Sequence, residues 1–183
     1  MEKNPNVVLG WLGRDGVGAS YHLVPLNLTW SAEGVEADLA VFAGVAERLA
    51  ADHDLWSLLL REANWRYTLV GCVCLLVSGN RDHWEDLAWR FDEGTWVSPQ
   101  VAVTMGLLHP AEARETLRRL VDGGAQSDTT KRHGAALVVL DRLCPDVAEP
   151  ADRRLEGDAA QGASVAGDQW AFWSERVWGT PSS

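Results

Sequence analysis

Five histidines, His22, His53, His83, His109 and His133, are the residues from which metal or acid–base chemistry would be built. No two stand four residues apart. None belongs to a His-Glu-x-x-His pair, the spacing that sets two imidazoles on one helix face beside a carboxylate base. They read as surface or helix-end histidines, with His53 and His83 near the starts of two helices and aligned along one edge of a stack. Of the three cysteines, Cys72 and Cys74 project about 200° apart around a helix and cannot grip one zinc together. An odd count with two thiols in an apolar helix points to reduced structural cysteines in the cytoplasm. No serine lies in a Gly-x-Ser-x-Gly elbow. Gly13-Arg-Asp-Gly-Val-Gly18 lacks the Gly-Lys-Ser/Thr ending of a phosphate loop and reads as a plain turn. The sequence therefore assigns no catalytic residue, metal ligand or cofactor.

Binding chemistry is better supplied. Asp82, Glu85, Asp86, Asp92 and Glu93 form the densest acidic cluster, with Trp84 and Trp89 among them. Such a cluster is either a solvated face or a docking surface, an aromatic anchor rimmed by carboxylates that concentrates binding energy in few residues. Trp56 and Trp84 stand at equivalent places in two repeats, where they either fill grooves between helices or leave one ring exposed. The docking reading takes Trp56, Trp84, Glu85, Asp86, Trp89, Asp92 and Glu93 as the site.

The elements that would position these residues are helices. Residues 55–62 and 83–92 are amphipathic, and each ends in a polar turn followed by a cap residue and a tryptophan, Asn64-Trp65 and Thr95-Trp96. Nearly uncharged segments follow, 68–77 and 99–108, aligning Val70 with Val101 and Leu76 with Leu107. A fixed period in this range marks stacked helix pairs. A helix apolar on every side must be covered on every side, so 65–78 and 97–108 are expected inside, and 53–62 and 82–92 in a more exposed layer. A weaker third pair is read at 110–121 and 130–143, the latter capped by Asp128 or Thr129.

Before the pairs, Ser31 is the expected cap of a helix whose apolar face runs from Val35 to Leu49 and whose polar face carries Glu36, Asp38, Glu47 and Arg48. Residues 1–34 read as an irregular N-terminal segment: a short helix, a loop, and an extended stretch over 21–30. Residues 144–167, rich in Ala, Gly, Asp and Pro, read as a linker. Residues 168–178, with Trp170, Trp173, Val177 and Trp178 near one stripe, read as a helix capping the open end of the stack.

At 183 residues one domain is expected, all-α, a short solenoid over 35–143 between these flanking parts. Ten tryptophans make packing alone a sufficient source of stability. Sixteen basic against 26 acidic residues give a net charge of −10, and the basic ones are scattered, which excludes a phosphate-tracking nucleic-acid surface. The acidic field favours either solubility alone or encounter with a basic protein. No stretch has the order of a signal peptide, and the longest apolar run, 67–78, is too short to cross a bilayer.

Leu-Arg-Glu-Ala-Asn-Trp-Arg-Tyr-Thr-Leu-Val-Gly and Phe-Asp-Glu-Gly-Thr-Trp-Val-Ser-Pro-Gln-Val-Ala resemble HEAT-type α-helical repeats, over residues 36–143. The period is shorter than the usual one, and the intra-repeat Asp and Arg positions of that family lack counterparts. The resemblance implies a curved stack of helices used for protein recognition and transfers no catalytic residue. The expected function is a non-catalytic protein-binding module, most concretely an acidic immunity- or inhibitor-type partner of a toxin or enzyme. Two alternatives stay open: a small-molecule-binding or enzymatic protein with a tryptophan-lined pocket, and a structural self-assembling component.

Overall fold

After Arg66, residues 67–78 carry no charged side chain, so a helix formed there has no face that water would solvate. In the computed structural model, whose described residues are 4–12, 23–28, 34–123, 130–145 and 155–179, this stretch is a helix with every residue from 67 to 76 buried. Helices joined by turns, without a strand, make up the described residues, which divide into two compact units at Asp86/Leu87.

The first unit contains α1 (Asn6–Trp11), α2 (Leu23–Asn27), α3 (Val35–Leu49), α4 (His53–Arg61) and α5 (Trp65–Ser78). α5 is its centre and packs against α2, α3 and α4. Local chemistry sets the ends of these helices. Asp52 accepts a hydrogen bond from Leu55 N–H at 3.2 Å to start α4, and Asn64 accepts one from Arg66 N–H at 3.2 Å to start α5. Gly79, in the left-handed region at φ 66°, ends α5 where a side chain would be strained. α4 buries Leu55, Trp56, Leu59 and Leu60 against α5. Gly71 is where that contact closes: a Cβ there would lie 2.7 Å from Leu60 Cδ2. Replacing Asn64 by alanine removes the cap acceptor and should cost about 1 kcal/mol of stability, read as a lower urea midpoint at unchanged m.

Two expectations are corrected here. α2 is helical where an extended stretch was expected, and Asp38, assigned to the polar face of α3, is buried. Pro25 sits at the third position of the five-residue α2, early enough for its missing N–H to cost little. Ser31, His22 and residues 13–18 lie outside the described residues; α3 is preceded by Gly34 at φ 95°.

α6 (Trp84–Glu93) crosses the division between the units. The second unit continues with α7 (Ser98–Leu108), α8 (Pro110–Asp122), α9 (Lys131–Leu143) and α10 (Gly157–Trp178). α7 is buried at every position, and α8, α9 and α10 all pack against it. Pro99 and Pro110 occupy first turns, where proline forfeits no hydrogen bond. Thr130 caps α9, accepting from His133 N–H at 3.4 Å, in place of the expected Asp128 or Thr129, which lie outside the described residues. The two tryptophan turns differ: Trp65 is the first residue of α5, whereas Trp96 stands in a turn before α7.

The C-terminal expectation changes most. Residues 157–167, read as linker, are the first half of the 22-residue α10, and 168–178 are its second half rather than a separate cap. α10 packs along α9 and α7. Gly162 lies against the backbone of Lys131, Gly134 against that of Ala159, and Gly106 under the Trp170 ring. Trp178 Nε1–H donates to Leu107 O at 3.1 Å and meets Trp170 edge-on at 5.4 Å.

Candidate functional site

The acidic cluster and its tryptophans separate into an interior group and an exposed one. In the first unit, Asp86 is only 5% exposed and Trp56 2%, so neither can anchor or rim a docking surface, as the sequence reading had them. Trp84 is partly buried and Glu85 exposed.

Asp86 is instead the hub of a polar network. Its carboxylate accepts from Ser57 Oγ–H at 2.8 Å, Arg61 Nε–H at 2.5 Å and His83 Nδ1 at 3.1 Å. An ionised carboxylate can only accept, so His83 carries its proton on Nδ1. Burial pushes the Asp86 carboxyl up, but the hydrogen bonds from His83, Arg61 and Ser57 and the Arg61 charge outweigh it and lower the pKa to about 2. The buried His83 ring stacks on His53 at 4.5 Å and on Trp56 at 5.2 Å. The alignment of His53 with His83 along one edge is thus a direct ring contact.

This arrangement holds elements together and orients a histidine. It does not assemble a nucleophile, because the Ser57 hydroxyl donates to Asp86 rather than to an imidazole. Among the described residues no three His, Cys, Asp or Glu side chains are grouped as a metal ion would require. Cys74 is fully buried, donates toward Phe42 O at 3.6 Å, and has its pKa raised far above the ordinary value by that burial, with Cys72 adding to it. It is a packing group and no nucleophile.

The exposed group lies in the second unit, along residues 89–96. Trp89 is 37% exposed and Trp96 62%, and Asp92 and Glu93 between them are exposed as well. Lys131 places Nζ 3.3 Å from the Trp96 ring centroid. Its neighbour Arg132 donates from one terminal nitrogen to Phe91 O at 3.3 Å and Asp92 O at 2.5 Å, carbonyls at the C-terminal end of α6.

Comparison with known proteins finds no matching family model, no matching curated protein and no matching solved structure. The site therefore stands on its own geometry. An open groove of about 510 Å³ along α8 is lined by Arg114, Glu115, Arg118, Arg119 and Asp122 among others, and by no tryptophan. Arg114 there donates to Leu143 O at 3.1 Å, which satisfies a carbonyl at the C-terminal end of α9. Among the described residues no helix is long and apolar enough to cross a membrane.

Sequence reasoning missed Ser57, Arg61, Trp96 and Lys131. Arg61 carried a signal, as the single Lys or Arg of α4, standing at its C-terminal end. Lys131 carried none, since its partner lies 35 residues away in the chain.

Proposed function

We propose that the protein is a non-catalytic protein-binding module, a short HEAT-like stack of helix pairs acting in the cytoplasm as an acidic immunity- or inhibitor-type partner of a toxin or enzyme. The observation that carries this reading is the run Trp89 to Trp96, two exposed indoles with exposed Asp92 and Glu93 between them. A buried tryptophan contributes more to stability than a partly exposed one, so two indoles that keep exposed surface in a segment with two exposed carboxylates have the make-up of a binding anchor with a polar rim. The net charge of −10 would speed encounter with a basic partner and disfavour acidic ones. The repeat reading is supported by the alternation of amphipathic helices, α4, α6 and α8, with α5, buried from 67 to 76, and the fully buried α7.

The test is calorimetric titration of the chain against proteins encoded by neighbouring genes, with a Trp89→Ala variant alongside. Truncating a central anchor should weaken binding by about 2 kcal/mol, roughly 30-fold, with the fold unchanged. A partner that binds Trp89→Ala as tightly as the parent removes the support for this surface. A bound small molecule in the purified protein, with no protein partner found, would favour the ligand-binding alternative.

A further inference from the structure

Lys131 is the first residue of α9, followed by Arg132, and the first turn of that helix holds no acidic residue. Cations at this end are disfavoured, because the unpaired N–H groups make it the positive pole of the helix. Lys131 is nevertheless held there with its ammonium over the Trp96 ring at 3.3 Å. An exposed cation–π contact and the repulsion of the helix pole are effects of similar small size. The contact is thus a weak latch, although its two ends are rigidly placed. The Lys131 backbone is pinned by α10, since a Cβ on Gly162 would lie 2.5 Å from Lys131 Cα. The turn that carries Trp96 is held by Ser98, whose hydroxyl donates to Thr95 O at 2.7 Å and accepts from Thr95 N–H at 3.1 Å. The lysine side chain can therefore leave the ring while both backbones stay in place.

We infer that the face of Trp96 that Lys131 covers is the seat for a lysine or arginine side chain of a basic partner protein, and that Lys131 is a resident cation which the incoming side chain displaces. This rests on the docking reading above and adds to it an anchor residue, Trp96, and the chemistry of what lands on it. Charge complementarity selects the occupant. Asp92 and Glu93 are exposed four and three residues before Trp96, on a chain of net charge −10, a setting that favours the approach of a cation. Arginine, being planar and weakly hydrated, should stack there better than the ammonium it replaces.

The probe is an arginine hexapeptide amide, titrated into the full-length ¹⁵N-labelled chain while the indole N–H resonances are followed, with the Trp96 signal assigned by its loss in Trp96→Phe. The expected result is a saturable shift of the Trp96 indole that a citrulline hexapeptide does not produce. Lys131→Ala, which empties the ring face, should bind the peptide about 3-fold more tightly, and Trp96→Ala about 10-fold more weakly. Arg142→Gln, which removes an exposed positive charge elsewhere on α9, corrects for the change in net charge and should reproduce only a small part of the Lys131→Ala gain. Trp96 is largely exposed, so its variants should keep the parent melting temperature. The inference is overturned if the Trp96 indole does not respond, or if Lys131→Ala gains no more affinity than Arg142→Gln. A partner protein that depends on Trp89 but is indifferent to Trp96 and Lys131 would overturn the seat and leave the docking function standing. An arginine peptide seated on Trp96 in a chain that binds no protein would support the seat and count against that function.

Discussion

Gly162→Val should cost the second unit about 3 kcal/mol or more, and Gly134→Val at least as much, a large share of the roughly 5–15 kcal/mol that holds a domain folded. A Cβ at Gly162 would sit 2.1 Å from Lys131 O and 2.5 Å from its Cα; one at Gly134 would sit 1.9 Å from Ala159 O and 3.0 Å from Ala163 N. All of these are backbone atoms, so no rotamer change relieves the clash. α9 and α10 would have to separate. A gap of even 0.5–1 Å forfeits a quarter to a half of each dispersion contact along the seam, and the two helices bury Ala135, Ala136, Ala159 and Ala166 among others. The decisive comparison lies within one helix. Gly167, also in α10, has nothing within 4 Å of its would-be Cβ, so Gly167→Ala should stabilise by roughly 0.5–1 kcal/mol through helix propensity. Urea denaturation of Gly162→Ala and Gly167→Ala should give midpoints displaced in opposite directions. Shifts of the same sign would mean that the close approach of α9 and α10 is not what holds the unit together.

The second large effect is expected at Asp86. Asp86→Ala removes the acceptor of three hydrogen bonds at once and leaves His83, itself buried, with an unsatisfied nitrogen. Breaking a fully buried pair costs more than this, but the Arg61 side chain is 46% exposed and water can recover it, so the expected loss is about 2–3 kcal/mol. Asp86→Asn keeps the shape and part of the accepting capacity and should lose about half of that. The two variants also differ from the parent in acid. The Asp86 carboxyl is lowered from 3.8 to about 2 in the folded chain, so folding favours its ionised form. That contribution is complete above about pH 5 and is lost as the pH falls through 3.8 towards 2. Thermal melts between pH 5 and pH 2.5 should therefore show a steeper loss in the parent than in Asp86→Asn. Parallel curves would show that the network carries little of the acid sensitivity.

Neither effect could have been placed from local sequence, and the reason is the same in both cases. Asp86 was read as one carboxylate among five on a wet face, because its neighbours Glu85, Asp82 and Trp84 suggest nothing else. Its partners Ser57 and Arg61 come from α4, 29 and 25 residues earlier, and only their arrival makes burial of the charge tolerable. Residues 157–167 were read as linker because glycine and alanine have the composition of a flexible segment. The same composition at three- and four-residue steps, Ala159, Gly162 and Ala166, is also a close-packing stripe. Which of the two it becomes depends on whether another small-residue helix face, here Gly134 and its neighbours, meets it.

What was legible is local. The spans 53–62, 65–78, 97–108 and 110–121 were expected from apolar period, caps and prolines, and the helices found are His53–Arg61, Trp65–Ser78, Ser98–Leu108 and Pro110–Asp122. The burial of α5 and α7 on every side followed from their lack of charge, since such a helix has nowhere to be but inside. The contact of His53 with His83 was foreshadowed by their places near the starts of two helices, although His83 stands in the turn before α6. By itself, then, the sequence determined where the helices lie and which are interior, because hydrogen bonding, capping and hydrophobic period act over a few residues. The tertiary structure alone decided which carboxylate is buried, which glycines are indispensable and which tryptophans face water, because each of those depends on groups brought from 25 or more residues away.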